Sequence, residues 1–203
     1  PQGELGVDQV EVNITRKGKT TEYVYAMDYI EAGEYITVWL REHNDDGTLD
    51  FSTGYSEPEI TICWENNAAI EILYFYQQSG DTDYQKWAFD PDSTRRANNG
   101  LSEPSGVLCT NNDGEDMANS ETLSLQATPL FIVARPFYEQ SGFAVSAGAD
   151  LPSQGFEIYS TAQVNPSREN QQISRRIKVY RGFNEFPESF FNVLFSGTGI
   201  SGN

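Results

Sequence analysis

Two acidic loops of this chain crowd oxygen donors around a glycine, a pattern found in calcium-binding loops. The first carries Asn111, Asp113, Glu115 and Asp116, and the second lies at residues 45–50. Ca²⁺ binds carboxylate and amide oxygens in such loops, but neither loop has the spacing of an EF-hand. Asn and Asp beside Gly are also the ordinary residues of tight turns. The first loop therefore has two interpretations, a Ca²⁺ site or a plain turn, and the sequence indicates no other cofactor.

Nucleophilic catalysis would have to use His43, the single histidine of the chain. A Ser-His-Asp or Cys-His site needs that imidazole as its base, yet no serine lies in a Gly-x-Ser-x-Gly turn. His43 stands beside a turn at residues 45–47, so an exposed turn histidine is the better interpretation. Zinc is also disfavoured, because Cys63, Cys109 and His43 lack the short ligand spacings of zinc motifs. The sequence thus predicts no catalytic residue.

Carboxylates and tryptophans leave one enzymatic alternative open. The 30 Asp and Glu residues could supply the pair that a glycoside hydrolase needs, although the sequence does not show which two would face each other. Trp39, Trp64 and Trp87 could stack on sugar rings, but each lies in a predicted strand, where core packing is the better explanation. A secreted hydrolase with paired carboxylates therefore ranks below a non-enzymatic role.

Cys63 and Cys109 are the only cysteines of the chain. A sparse, even number in a chain with the composition of a surface protein indicates one disulfide and an oxidising, extracellular location. Two unpaired core thiols are the alternative, because free cysteines are among the most buried residues.

The charge of the chain argues against two classes of partner. Its 13 Lys and Arg against 30 Asp and Glu give a net charge of −17, which repels nucleic acid and anionic membranes at long range. The aromatic content of 13% is higher than disordered acidic chains have, so we expect a folded protein. Since no stretch of about 18 apolar residues occurs, we expect no membrane insertion by this chain.

Alternation of apolar and polar residues recurs along the whole chain. It predicts an antiparallel β-sandwich of about twelve short strands with little or no helix. The alternation places Ile60, Ile62 and Trp64 on one face of a strand. Residues 67–77 are the best helical candidate, but residues 69–76 are apolar on both faces of a strand and are better interpreted as a central one. The other predicted strands are 10–15, 34–40, 84–89, 123–127, 130–134, 143–145, 155–164, 173–182 and 190–195.

We expect residues 1–203 to form a single domain, since all-β domains of this length are common. A turn cluster within residues 42–57 marks a weak boundary between a subgroup of strands at 1–50 and a main body at 51–203. Residues 90–106 and 111–120 carry clusters of Pro, Asn, Gly, Asp and Ser, which predict surface loops.

The last third of the chain carries an ordered set of short motifs. These are GFEIYSTA at 155–162, RRIKVY at 175–180, FP at 186–187 and FNVLFSGTG at 191–199. Their order resembles the ectodomain ending of PilX-like pilus-assembly proteins, which are relatives of type IV minor pilins. The resemblance extends over residues 57–199. The hydrophobic N-terminal helix of that family is not among these residues, and Asn192 stands where the family usually has an aromatic residue.

The resemblance implies a non-catalytic structural or adhesive component of type IV pilus-like filaments or of the cell surface. Its partners would be other pilins or surface proteins, or a ligand on a host or neighbouring cell, and not nucleic acid. The alternative from another class is a secreted carbohydrate- or protein-binding adhesin module without a filament. The secreted glycoside hydrolase is the second alternative.

Overall fold

The structure, a computed structural model, describes residues 9–17, 24–106, 109–110, 114–164 and 173–183. Within those ranges, 13 strands and one short helix form an all-β sandwich, and all strand pairs are antiparallel. The elements are β1 (Gln9–Lys17), β2 (Val24–Ile30), β3 (Ile36–Trp39), β4 (Arg41–His43), β5 (Leu49–Gly54), β6 (Glu59–Trp64), β7 (Ala69–Gln78), β8 (Asp81–Phe89), α1 (Ser93–Asn99), β9 (Asn119–Ser124), β10 (Thr128–Phe137), β11 (Ser141–Ala147), β12 (Gly155–Val164) and β13 (Ile173–Gly182).

Two four-stranded sheets face each other across the main core. Their strand orders are β3-β10-β7-β8 and β2-β11-β6-β9. Ile60, Ile62 and Trp64, which alternation places on one face of β6, are all buried in this core. Facing strands contribute Ile72, Tyr74, Ile132 and other apolar side chains. The fold class predicted from the alternation is confirmed.

Strand β7 is apolar on both faces because both are covered. It lies between β10 and β8, as expected of a central strand. Its inward residues join the main core, while Leu73 and Phe75 join a second cluster on the outer side of the same sheet. Phe75 stacks on Phe131, with ring centroids 4.5 Å apart. The interpretation of residues 69–76 as a strand rather than a helix is confirmed.

The predicted boundaries are best where the alternation is longest. Residues 155–164 and 173–182 coincide with β12 and β13, whereas β2, β4 and β5 were not predicted. The predicted strand at 190–195 lies outside the described residues. Among the strands that begin before residue 51, β1 pairs with β12, β2 with β11 and β3 with β10, while β4 and β5 pair with each other.

A short helix interrupts the segment that we predicted as the loop 90–106. Asp92 caps α1, because its carboxylate accepts hydrogen bonds from the N–H groups of Thr94 and Arg95. Gly100 ends the helix at φ 72°, a left-handed conformation that suits glycine. In the described part of the chain, no helix is long and apolar enough to cross a bilayer.

Candidate binding surface

A third sheet, with strand order β1-β12-β13, carries six of the ten large hydrophobic side chains that are exposed among the described residues. We call it the outer sheet, because its strands pack mainly against one another. Ile14 lies opposite Ile158, which lies opposite Val179, while Val12 and Ile177 both lie opposite Ser160. Residues opposite each other in antiparallel strands point to the same side. Val12, Ile14, Ile158, Ile177 and Val179 therefore share one side of the sheet, which we call the apolar face.

The apolar face is open to solvent. The exposed fractions are 55% for Val12, 63% for Ile14, 46% for Ile177 and 48% for Val179. Valine and isoleucine are among the residues most often fully buried, and a contiguous exposed patch of them commonly marks an interaction surface. This face is therefore our candidate site for a partner.

Arginines flank the apolar face. Side chains alternate along β13, so Arg175 and Arg181 lie on the same side as Ile177 and Val179, and both arginines are exposed. Across all three strands, the outer sheet holds six of the chain's 13 Lys and Arg and two of its 30 Asp and Glu. The sheet thus carries +4, and the remaining residues of this −17 chain carry −21.

The opposite side of the outer sheet carries an ion pair and the exposed side chains of Tyr159 and Tyr180. Lys178 forms an ion pair with Glu157 at 2.5 Å, and its ammonium lies 5.3 Å from the centroid of the Tyr159 ring. Two hydrogen bonds raise the pKa of Lys178: the one to Glu157, which has the larger effect, and the one to Tyr159. Lys178 and Glu157 therefore already have partners within the sheet. The apolar face, in contrast, presents apolar side chains to solvent.

A buried glutamine ties the base of the outer sheet to the sandwich. The side-chain oxygen of Gln154 accepts a hydrogen bond from the Trp39 backbone N–H, and its side-chain nitrogen donates to the Trp39 carbonyl, both at 2.8 Å. Gln154 is only 3% exposed, so these bonds are sheltered from water. The hydroxyl of Tyr180 donates to the Gln154 carbonyl at 3.0 Å. This attachment fixes the direction in which the outer sheet leaves the sandwich.

His43 belongs to the same junction, and the prediction of an exposed turn histidine is wrong. The residue ends β4, is 5% exposed and stacks on Phe183 with ring centroids 3.7 Å apart. Trp39 meets His43 edge to face at 4.6 Å, and Phe183 meets Phe156 at 5.3 Å. The histidine is thus part of an aromatic cluster that packs the end of β13 against the sandwich.

The two cysteines form a disulfide in the structure, with Cα atoms 6.2 Å apart. Cys63 points away from the main core, as the alternation of β6 predicts, and clusters with Cys109, Met117 and Ala144. The Met117 N–H donates to the Cys109 carbonyl at 2.7 Å. The bridge therefore fastens the long connection between β8 and β9 to the middle of a sheet.

The structure does not assemble a metal site from the residues that it describes. Of the four candidate ligands, Asn111 and Asp113 lie outside the described residues, and Glu115 and Asp116 are exposed. Among described side chains there is no group of three or more His, Cys, Asp and Glu that could hold a metal ion. In the second loop, Asp46 accepts hydrogen bonds from the N–H and hydroxyl of Thr48, as turn residues do. Calcium at the first loop stays a prediction.

Asp90 is a fully buried carboxylate with a complete set of partners. Arg95 donates to both of its oxygens, with the Nη2–Oδ1 distance at 2.7 Å and Nε 3.1 Å from each oxygen. Asn99 and the Asp92 N–H add hydrogen bonds of 2.9 Å. Burial alone would raise the pKa of Asp90, but the hydrogen bonds from Arg95, Asp92 and Asn99 outweigh it and hold that pKa below its usual value. This cluster anchors α1.

Asp90→Asn is expected to change how stability depends on pH. An aspartate whose pKa is lowered by folding stabilises the protein above its unfolded pKa of about 3.9, and this contribution is lost as the pH falls further. The variant should be less stable than the parent at pH 7, and the difference in stability should shrink as the pH falls below about 3.9. Urea unfolding followed by tryptophan fluorescence at several pH values measures this. Exposed Asp81→Asn is the matched control, and parallel curves for parent and Asp90→Asn would contradict the assignment.

Sequence reasoning found the strands of the outer sheet but missed its apolar face. The missing information was the register, because Val12 and Ile177 are 165 positions apart in the chain and meet only across β12. A usable signal existed in β13, where apolar Ile177 and Val179 alternate with basic Arg176 and Lys178. Compared with models of protein families, with curated proteins and with solved structures, the chain gave no match.

Proposed function

We propose that this chain is a non-catalytic structural or adhesive component of an extracellular, pilus-like surface assembly. The observation that carries the proposal is the outer sheet, which presents an exposed apolar face bordered by Arg175 and Arg181. A face of this kind is suited to a macromolecular partner, because an exposed apolar patch formed by several strands commonly marks an interaction surface. The ordered motifs at 155–162 and 175–180, which resemble PilX-like proteins, lie within two of its three strands.

The disulfide supports an extracellular location. Disulfides persist in oxidising environments and are rare in the reducing cytosol. A bridge between Cys63 and Cys109 links the β8–β9 connection to β6, which suits a domain that has to stay folded outside the cell. The large negative charge favours solubility in the same setting.

Three of the four buried carboxylates among the described residues are ion-paired, which supports a structural rather than a catalytic role for them. Asp90 pairs with Arg95, Glu71 with Lys86 and Glu157 with Lys178. A glycoside hydrolase needs one carboxylic acid that donates a proton and a second carboxylate facing it. Carboxylates that are each held by a cation are instead used to fasten strands and α1 in place. Trp39 and Trp64 are likewise buried in packing clusters and are not offered to a sugar ring.

Immunogold electron microscopy of intact cells of the source organism tests this proposal. An antibody raised against the folded chain should label the outside of the cells, with gold along appendages or at their ends. An antibody against a cytoplasmic protein is the control for cell integrity. Label that appears only after permeabilisation would contradict the extracellular role. Label on the envelope but never on appendages would favour the adhesin module without a filament.

A further inference from the structure

We propose that the apolar face of the outer sheet binds the acidic sandwich of a second copy of this chain, in a head-to-tail arrangement. This inference rests on the proposed structural role and names its partner. It requires that the two surfaces be complementary, that a simpler face-to-face dimer be disfavoured, and that the contact be large enough to matter. Each requirement can be assessed from the described residues.

Charge complementarity favours the sandwich as the partner. The outer sheet carries +4, while the rest of the chain carries −21. Opposite charge on two surfaces favours their encounter and fixes their relative orientation. The Debye length at physiological salt is about 8 Å, so contacts between the sheet and a neighbouring sandwich act locally while the repulsion between whole molecules is screened. A second copy of the chain supplies both surfaces.

A face-to-face dimer of two outer sheets would place like charges together. Arg175 and Arg181 border the apolar face on the exposed strand β13, and a two-fold contact would bring the same surface of each copy together. Four arginines, two from each copy, would then lie around one apolar patch. None of the residues that define the apolar face is a carboxylate that could pair with them. Two different surfaces avoid this repulsion. Such heterologous contacts continue from copy to copy, and they form open chains unless the rotation closes a ring.

The size of the face predicts a weak, reversible contact. A sheet of one nine-residue strand and two ten-residue strands measures about 33 Å by about 14 Å, or roughly 450 Å², from the usual rise and strand spacing. Stable complexes bury about 800 Å² on each partner. Association should therefore depend on concentration in the micromolar range or above, as is suitable for an assembly in which further contacts are made elsewhere.

Sedimentation velocity of the whole chain in about 0.15 M NaCl is the first test. The weight-average mass should rise with concentration and continue past that of a dimer. Arg175→Glu should raise the apparent Kd about fivefold or more, because it reverses a charge at the edge of the face. Arg176→Glu makes the same charge change one residue away on the opposite side of β13 and should have a much smaller effect. Equal effects of the two variants would overturn the proposal.

A second pair of variants removes apolar surface rather than charge. Ile177→Thr, which keeps a β-branched side chain, should weaken association roughly tenfold. Tyr159→Thr removes a larger exposed side chain from the opposite side and should leave association nearly unchanged. Circular dichroism and the melting temperature identify any variant that misfolds. If one of Ile177→Thr and Arg175→Glu misfolds, the other still tests whether the apolar face mediates association.

A mixing experiment separates the head-to-tail arrangement from a face-to-face dimer. Fluorescently labelled Ile177→Thr has a weakened face but an intact sandwich, so it should bind unlabelled parent protein with nearly the parent's own apparent Kd although it associates with itself about tenfold more weakly. A face-to-face dimer needs the apolar face of both copies, so in that arrangement the variant would bind the parent more weakly than the parent binds itself. A monomer at all concentrations overturns the proposal. So does binding of the apolar face to phosphatidylglycerol vesicles without self-association.

Discussion

Replacing Trp64 with alanine is expected to lower the free energy of unfolding by about 3 to 5 kcal/mol. Trp64 is fully buried at the end of β6, where it packs in the core shared by the two four-stranded sheets. Its indole N–H donates to the Ala68 carbonyl at 2.9 Å, and its ring lies 6.3 Å from that of Phe89. The substitution removes the largest fully buried side chain, leaves a cavity and deprives the Ala68 carbonyl of a donor.

Urea unfolding followed by circular dichroism measures this effect. Trp64→Phe is the matched variant, because it keeps an aromatic ring but loses the N–H. It should cost less than Trp64→Ala, and the difference between the two reports mainly on the volume of the cavity. Tyr84→Ala on the exposed edge strand β8 is the surface control. A loss below about 1 kcal/mol for Trp64→Ala, the range of ordinary surface changes, would show that this core does not hold the sandwich together.

The sequence predicts the sandwich well because alternation is a local signal. In β6, β12 and β13, apolar and polar residues alternate over several successive positions, and this period of two is enough to indicate a strand. The strands that were missed give weaker signals. β4 has three residues, of which Glu42 and His43 are buried although polar. His43 is covered in part by Phe183, which lies 140 positions later in the chain. Local pattern does not contain that information.

The candidate site was harder to predict because it depends on the register in which β1 and β13 pair with β12. Each strand of the outer sheet shows its own alternation, but the apolar face exists only when β1 and β13 line up on β12. The charge contrast is hidden for the same reason, since its basic residues come from both ends of the chain. Asp90 shows a similar limit. It lies in a segment predicted as a loop, and its role depends on α1, which its neighbour Asp92 caps.

Removing the disulfide by the double substitution Cys63→Ala and Cys109→Ala is expected to lower the free energy of unfolding by about 3 to 4 kcal/mol. The bridge closes a loop with a sequence separation of 46, and such a link restricts the unfolded chain. Both cysteines are buried, so alanine fits the space and adds no polar atom. Urea unfolding of the parent and the double variant without reductant measures the change. Mass spectrometry of alkylated, unreduced parent protein is the accompanying control, because two labelled thiols would show that no bridge forms.

The location of the disulfide predicts which N–H groups lose protection from hydrogen exchange when the disulfide is removed. Cys109 lies between α1 and β9, and the bridge holds this connection against Ala144 of β11. Loss of the bridge should therefore increase hydrogen exchange first around Met117, whose N–H bonds to the Cys109 carbonyl, and leave the N–H groups of β7 protected. The outer sheet is attached separately through Gln154 and Trp39, so self-association should survive in the double variant. Uniform loss of protection across β7 and the connection would instead mean that the bridge supports the whole sandwich.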